Sequence, residues 1–169
     1  MLLLQRFDVT RPLEHEEGLY LGARVYAATD TQTERSHYGP DVKVICYPWN
    51  EGQGGAATAR TLWSAELRKL FRLSCQPFDP ALVGFVHGGL DTENSLLVLV
   101  TAAQDLPNVL HWLSTDDAGK ATSLQWRSGQ GGERPELWDH VSWLFKALAS
   151  IHESRIIHRR ISPMHVLVD

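Results

Sequence analysis

The chain has 169 residues, a formal charge of −4 at neutral pH, 43% apolar and 21% charged residues. That is enough for one domain with its own core and too little to expect two. The mildly acidic balance argues against a general nucleic-acid or membrane surface, and no apolar run nears the length of a membrane span.

The N-terminal "MLLLQRFDV" has three leucines and then charge, too short for the apolar region of a signal peptide. We therefore expect a cytoplasmic protein. Residues 19–28, "LYLGARVYAA", alternate and then run apolar, which predicts a strand. "TDTQTERSHYGPD" (29–41) is polar, contains Gly39-Pro40 and reads as a loop. "VKVICYPW" (42–49) is a β-branched run closed by Pro48, a second strand, and "NEGQGGAAT" (50–58) is a Gly-rich connection. From Ala57 to Leu73 the period changes. Trp63, Leu67, Leu70 and Ser74 fall at helical spacing with charged residues between them, and Pro77 and Pro80 stop the helix.

"LVGFVHGGL" and "SLLVLVTAA" are two further strands, with "DTEN" (91–94) as the turn of a hairpin. "LPNVLHWL" (106–113) reads as a short helix and residues 114–135 as a polar, Gly-rich insert. Leu137, Val141, Leu144, Leu148 and Ile151 then mark a long helix over 136–153, with Pro135 in a first turn that tolerates it. Strands, a helix, strands and a mostly helical remainder make an α+β chain with an antiparallel sheet. The two cysteines, Cys46 and Cys75, imply no disulfide framework and are expected as reduced, buried thiols. Core packing is the expectation for Trp63 and Trp143, and Trp126 in the polar insert is the best candidate for an interface anchor.

The final stretch, "ALASIHESRIIHRRISPMHVLVD", resembles the end of the long helix and the catalytic loop of eukaryotic-type protein kinases, whose loop has the form H-R-D-L-x-x-x-N. His158-Arg159, Pro163 and the apolar Val166-Leu167-Val168 carry the likeness. It extends from about Gly18 to Asp169. The resemblance implies a small lobe and hinge over 1–103, a sheet plus one helix. It implies the start of a large lobe over 104–169, including the insert 114–135, the helix 136–153 and a degenerate loop 158–165.

The resemblance assigns roles residue by residue. Lys43 in "PDVKVI" stands for the strand lysine that holds the α/β-phosphates, and Glu66 in "LWSAELRKL" for its helix partner. Val25 anchors the Gly-rich loop, whose glycines would fall on Gly18, Tyr20 and Ala23, so only the first survives; Gly22 is the nearest other glycine. Asp41 replaces the small residue that roofs the adenine. Thr101 takes the position gating the back of the pocket, and Ala102 stands where the hinge often has an acid.

In the loop the catalytic acid is replaced by Arg160, which cannot accept a proton. The γ-phosphate lysine is replaced by Ser162. The metal-binding Asn is replaced by His165, a poor ligand for Mg²⁺. The D-F-G segment would follow Val168, and the sequence ends at Asp169. His152, His158 and His165 span a helix end, a loop and a strand start, so no metal site is expected of them.

The expectation is a catalytically impaired, pseudokinase-like module acting as a regulatory or scaffolding interaction domain. ATP is its candidate ligand, with weak or no Mg²⁺ dependence. The alternative is a divergent Ser/Thr kinase, as in bacterial defence proteins, whose metal ligands lie beyond Asp169. A third reading is a pure interaction domain whose own side chains fill the pocket. We expect the natural chain to continue, or a protein partner to cover the apolar stripe of helix 136–153.

Overall fold

The computed structural model describes residues 1–13, 22–32, 38–49, 56–75, 82–103, 135–157, 161 and 166. They fall into two compact units, residues 1–78 with 83–104, and residues 79–82 with 105–169. The first unit is an antiparallel six-stranded sheet with one helix. Its elements are β1 (Leu2–Leu3), β2 (Phe7–Pro12), β3 (Arg24–Asp30), β4 (Asp41–Pro48), α1 (Ala56–Ser74), β5 (Phe85–Asp91) and β6 (Leu96–Ala102). The strand order is β1-β2-β3-β4-β6-β5. The expected strands, hairpin and helix of this region are present with shifted ends, and the chain is α+β. β3 starts at Arg24, residues 19–21 lie outside the described residues, and Thr29, Asp30 and Asp41, expected as loop, belong to β3 and β4. A hairpin at the N-terminus adds to them.

The sheet is curled. β1 and β5 stand at opposite ends of the strand order, yet the Leu4 amide donates to Asp91 Oδ2 at 2.8 Å and Gln5 Nε2 to Glu93 Oε1 at 3.2 Å. Curling wraps one face around a core of Leu3, Phe7, Ala28, Val42, Val44, Cys46, Val98 and Val100. The alternate residues of the same strands, Val25, Ile45, Tyr47, Leu97 and Leu99, line the other face and pack against Ala59, Leu62, Trp63, Leu67 and Leu70 of α1. β2 serves both faces. Its register shifts between Val9 and Arg11, so Phe7 and Val9 meet the first core and Leu13 the second. Trp63 is half-buried as well as packed, and its indole N–H donates to the Val98 carbonyl at 3.0 Å.

Of the two cysteines only Cys46 is buried, and burial pushes its thiol up to about 12, with the Asp91 charge adding to the shift. Cys75 is exposed, contrary to expectation, and directly follows Ser74, the last residue of α1. Both are free.

In the second unit, α2 (Pro135–Glu153) matches the expected helix. It ends in a Schellman motif. Arg155 takes a left-handed φ of 55°, its amide donates to the His152 carbonyl at 2.8 Å, and the Ile156 amide donates to the Ile151 carbonyl at 3.1 Å. Ile151 and Ile156, the pair such a motif brings together, are both buried. Trp143 was expected in a core and is instead 53% exposed, with Phe145 at 66%. Neither lies on the stripe of Val141, Leu144, Leu148 and Ile151, and Lys146 sits over the Trp143 ring at 4.8 Å. The expected short helix 106–113, residues 114–134 of the expected insert 114–135, Trp126 among them, and Pro77 and Pro80 lie outside the described residues, while Pro135 opens α2.

Three titrating groups make the first unit sensitive to acid. The Arg6 guanidinium bonded to Asp30 holds that carboxyl below its usual value. Burial alone would raise Asp91, but amide donors from Leu4, Glu93 and Asn94 outweigh it and lower it. Burial, helped by the charge of Arg6, lowers His87. In each case the unfolded chain binds the proton more tightly, so stability rises with pH. The His87 contribution is complete above about pH 6.5 and is lost as pH falls through the folded value. The Asp30 and Asp91 contributions are complete above about pH 4 and are lost below it. The urea midpoint should therefore fall in two steps on acidification, and His87→Gln should remove the upper step alone. A midpoint flat between pH 7 and 5 in the parent chain would contradict this.

Candidate functional site

Of the residues singled out in the sequence, Val25, Lys43 and Thr101 share the face of the sheet that α1 covers. Lys43 is the Cα partner of Ala27 on β3 and of Thr101 on β6, and Thr101 is the partner of Phe85 on β5. Directly opposed residues of antiparallel strands project to the same side. Ala27, Lys43, Thr101 and Phe85 therefore form one row across four strands. The next row is Val25, Ile45 and Leu99, fully or almost fully buried against α1. The alternation of β4 decides this. Val42, Val44 and Cys46 point into the curled core, which leaves Asp41, Lys43, Ile45 and Tyr47 for the other side.

Within the row, Lys43 is half-buried and Thr101 is 4% exposed. None of the hydrogen bonds among the described residues uses the Thr101 hydroxyl. Burying a hydroxyl without a partner costs free energy, so a polar atom brought there by a ligand would be favoured. Asp41 is exposed at the start of β4, where its carbonyl accepts the Ala103 amide at 3.1 Å. This fastens the end of β6 beside the row.

Glu66 lies on α1, the helix that packs on this face. Its Oε1 takes Lys69 Nζ at 2.7 Å, an i,i+3 pair within the helix, and both side chains are more than a third exposed. Glu66 also acts on Tyr47, whose phenol is pushed up to about 12, chiefly by burial and then by the Glu66 charge. Tyr47 stands four residues beyond Lys43 on β4, on the same side of the sheet.

Gly22, two residues ahead of β3, takes a φ of 72°, which favours glycine. Gly18, Tyr20, and the loop residues His158, Arg159, Arg160, Ser162 and His165 lie outside the described residues. Of the chain's end, Ile156 is buried, Ile157 and Ile161 are exposed and Val166 is half-buried. Among the described residues no group of three or more His, Cys, Asp or Glu side chains gathers as a metal would require. No helix among them is long and apolar enough to cross a membrane.

Sequence reasoning missed one feature of this unit. A groove of about 500 Å³ runs between α1 and β5, with Arg68 and Arg72 on its rim. Only the pairing of β5 at the sheet edge beside α1 creates it, and no local pattern signals that. The chain matches no protein-family model, and no curated protein sequence matches it.

Proposed function

We propose that this chain is a protein-kinase-like module that no longer transfers phosphate and acts through protein contact, with nucleotide as its switch. The placement of Lys43 carries the reading. It sits on the strand before α1, on the side that α1 covers, level with Thr101 and one row from Val25. Those are the positions at which a kinase small lobe would hold the phosphates, gate the pocket and flank the adenine. The sequence supplies the loss of chemistry. Phosphoryl transfer rests on positioning and metal electrostatics, and Arg160, Ser162 and His165 replace the base, the γ-phosphate contact and a metal ligand. A cationic Lys43 can hold a phosphate without a metal, which is why little or no Mg²⁺ dependence is expected. The protein contact would lie in part on the second unit, where Trp143, Phe145 and Ile157 are exposed.

Thermal unfolding with ATP tests this. At about 100-fold its dissociation constant a ligand adds roughly 2.7 kcal/mol, which raises the midpoint of a domain this size by about 5–10 °C. The expected result is such a shift with ATP in EDTA, little changed by Mg²⁺, lost in Lys43→Ala, and with no phosphate transfer to protein. A shift that needs Mg²⁺, together with transfer, would favour the divergent active enzyme. No shift at millimolar ATP would remove nucleotide from the function.

A further inference from the structure

The groove between α1 and β5 has an apolar floor and a basic rim. Leu67 and Phe71 of α1 face Phe85 of β5 across it, the Val86 side chain packs into the curled core on the other face, and Arg68 and Arg72 stand over it. Its depth depends on Gly88. A Cβ there would lie 2.5 Å from Leu67 Cδ1, so the absence of a side chain lets α1 settle against the strand. Phe71 is 59% exposed, a large aromatic left in water at the mouth. Val86 is the extra residue where the register of β5 shifts between Phe85 and His87.

The charges are one-sided. Arg68 and Arg72 are four apart on α1, so they share a helix face and repel. Arg68 spends two donors on Ser64 of its own helix, at 3.2 and 3.4 Å. Arg72 makes no ion pair and no side-chain hydrogen bond among the described residues. No acid lines the groove, although the chain as a whole carries net negative charge. β5 is also the last strand of the sheet order, so its outer edge has no strand partner among the described residues.

We infer that this groove is a docking site for an acidic peptide segment of a partner protein, with aromatic or aliphatic anchors set between carboxylates. The anchors would cover Phe71 and fill the floor against Leu67 and Phe85. The carboxylates would meet the two guanidiniums, whose planar donor forks suit them. The charge complementarity decides the occupant. A basic segment would add to the repulsion already present, and a neutral apolar one would leave the guanidiniums partly desolvated and unpaired. The inference stands on groove and charge alone and does not need the nucleotide reading above.

The test is selection of random phage-displayed peptides on the immobilised 169-residue chain, followed by anisotropy titration of the winners. Expected are sequences that set Asp or Glu beside Phe, Trp or Leu. Their affinity should fall at least about tenfold, or 1.4 kcal/mol, in Arg68→Glu/Arg72→Glu and likewise in Phe71→Ser, and it should weaken with salt. All three positions are exposed, so the variants should keep the parent melting temperature. Selection of basic or uncharged peptides, winners indifferent to both variants, no binder at all, or equal competition by heparin would each overturn the inference.

Discussion

Asp30→Ala should destabilise the first unit by about 3–5 kcal/mol, read as a fall in the urea midpoint at pH 7 with unchanged slope. Asp30 closes β3, opposite Phe7, and its side chain is fully buried. Arg6 approaches with both arms, Nε to Oδ1 at 2.8 Å and Nη2 to Oδ2 at 2.7 Å. The Gln32 amide donates to Oδ1 at 2.9 Å. Around the same corner the Arg6 carbonyl accepts the Thr31 amide and hydroxyl. Removing the carboxylate leaves a guanidinium, itself only 15% exposed, without its counter-charge. The cost is thus mainly that of the stranded partner and not the worth of the pair. The double variant Arg6→Met/Asp30→Leu should therefore cost less than Asp30→Ala alone. If the double costs as much as or more than the single, the pair stabilises by its attraction and this account is wrong.

The sequence discloses elements whose signals are local. β4 is a β-branched run with a proline at its end. α1 and α2 carry apolar residues every three or four positions. "DTEN" sits between two apolar runs, and Asp91 and Asn94 bond each other at the turn as those residue types do. The β1–β2 hairpin has no such signal. β1 is two residues long, and the turn places Leu4 and Gln5 at φ of 52° and 53°, where Gly, Asn or Asp would be expected. What holds that turn is distant in sequence, the bond from the Leu4 amide to Asp91, 87 residues away. For the site, the side on which Lys43, Thr101 and Val25 lie follows from alternation along their strands. What local pattern leaves open is what Glu66 meets. Spacing puts it on α1, but Lys69 one turn on competes for its carboxylate, and nothing local decides that contest.

Whether that hairpin is an appendage or part of the fold is decided by Phe7. Phe7 is fully buried in the curled core with Leu3, Val42, Val44, Val98 and Val100, which come from three other strands. Arg6 lies over its ring at 4.9 Å, and the His87 ring centroid is 6.0 Å away on β5, the far end of the strand order. Truncating such a ring removes its burial and leaves a cavity that curled strands cannot readily close, so Phe7→Ala should cost about 3–5 kcal/mol. Phe7→Leu keeps most of the volume and should cost under about 1.5 kcal/mol. The loss should be global. Amide exchange in β4 and β6, on the central strands, should quicken by the same free energy as exchange in β2. Faster exchange confined to β1 and β2, with β4 and β6 unchanged, would mean that the hairpin detaches on its own. The curl would then be a property of the other four strands. Because β2 also delivers Leu13 to the α1 side, where the Leu13 amide donates to the Val25 carbonyl at 2.8 Å, a global loss would join the two faces of the sheet. Packing in the curled core would then help to hold Val25, and with it the edge of the row that presents Lys43.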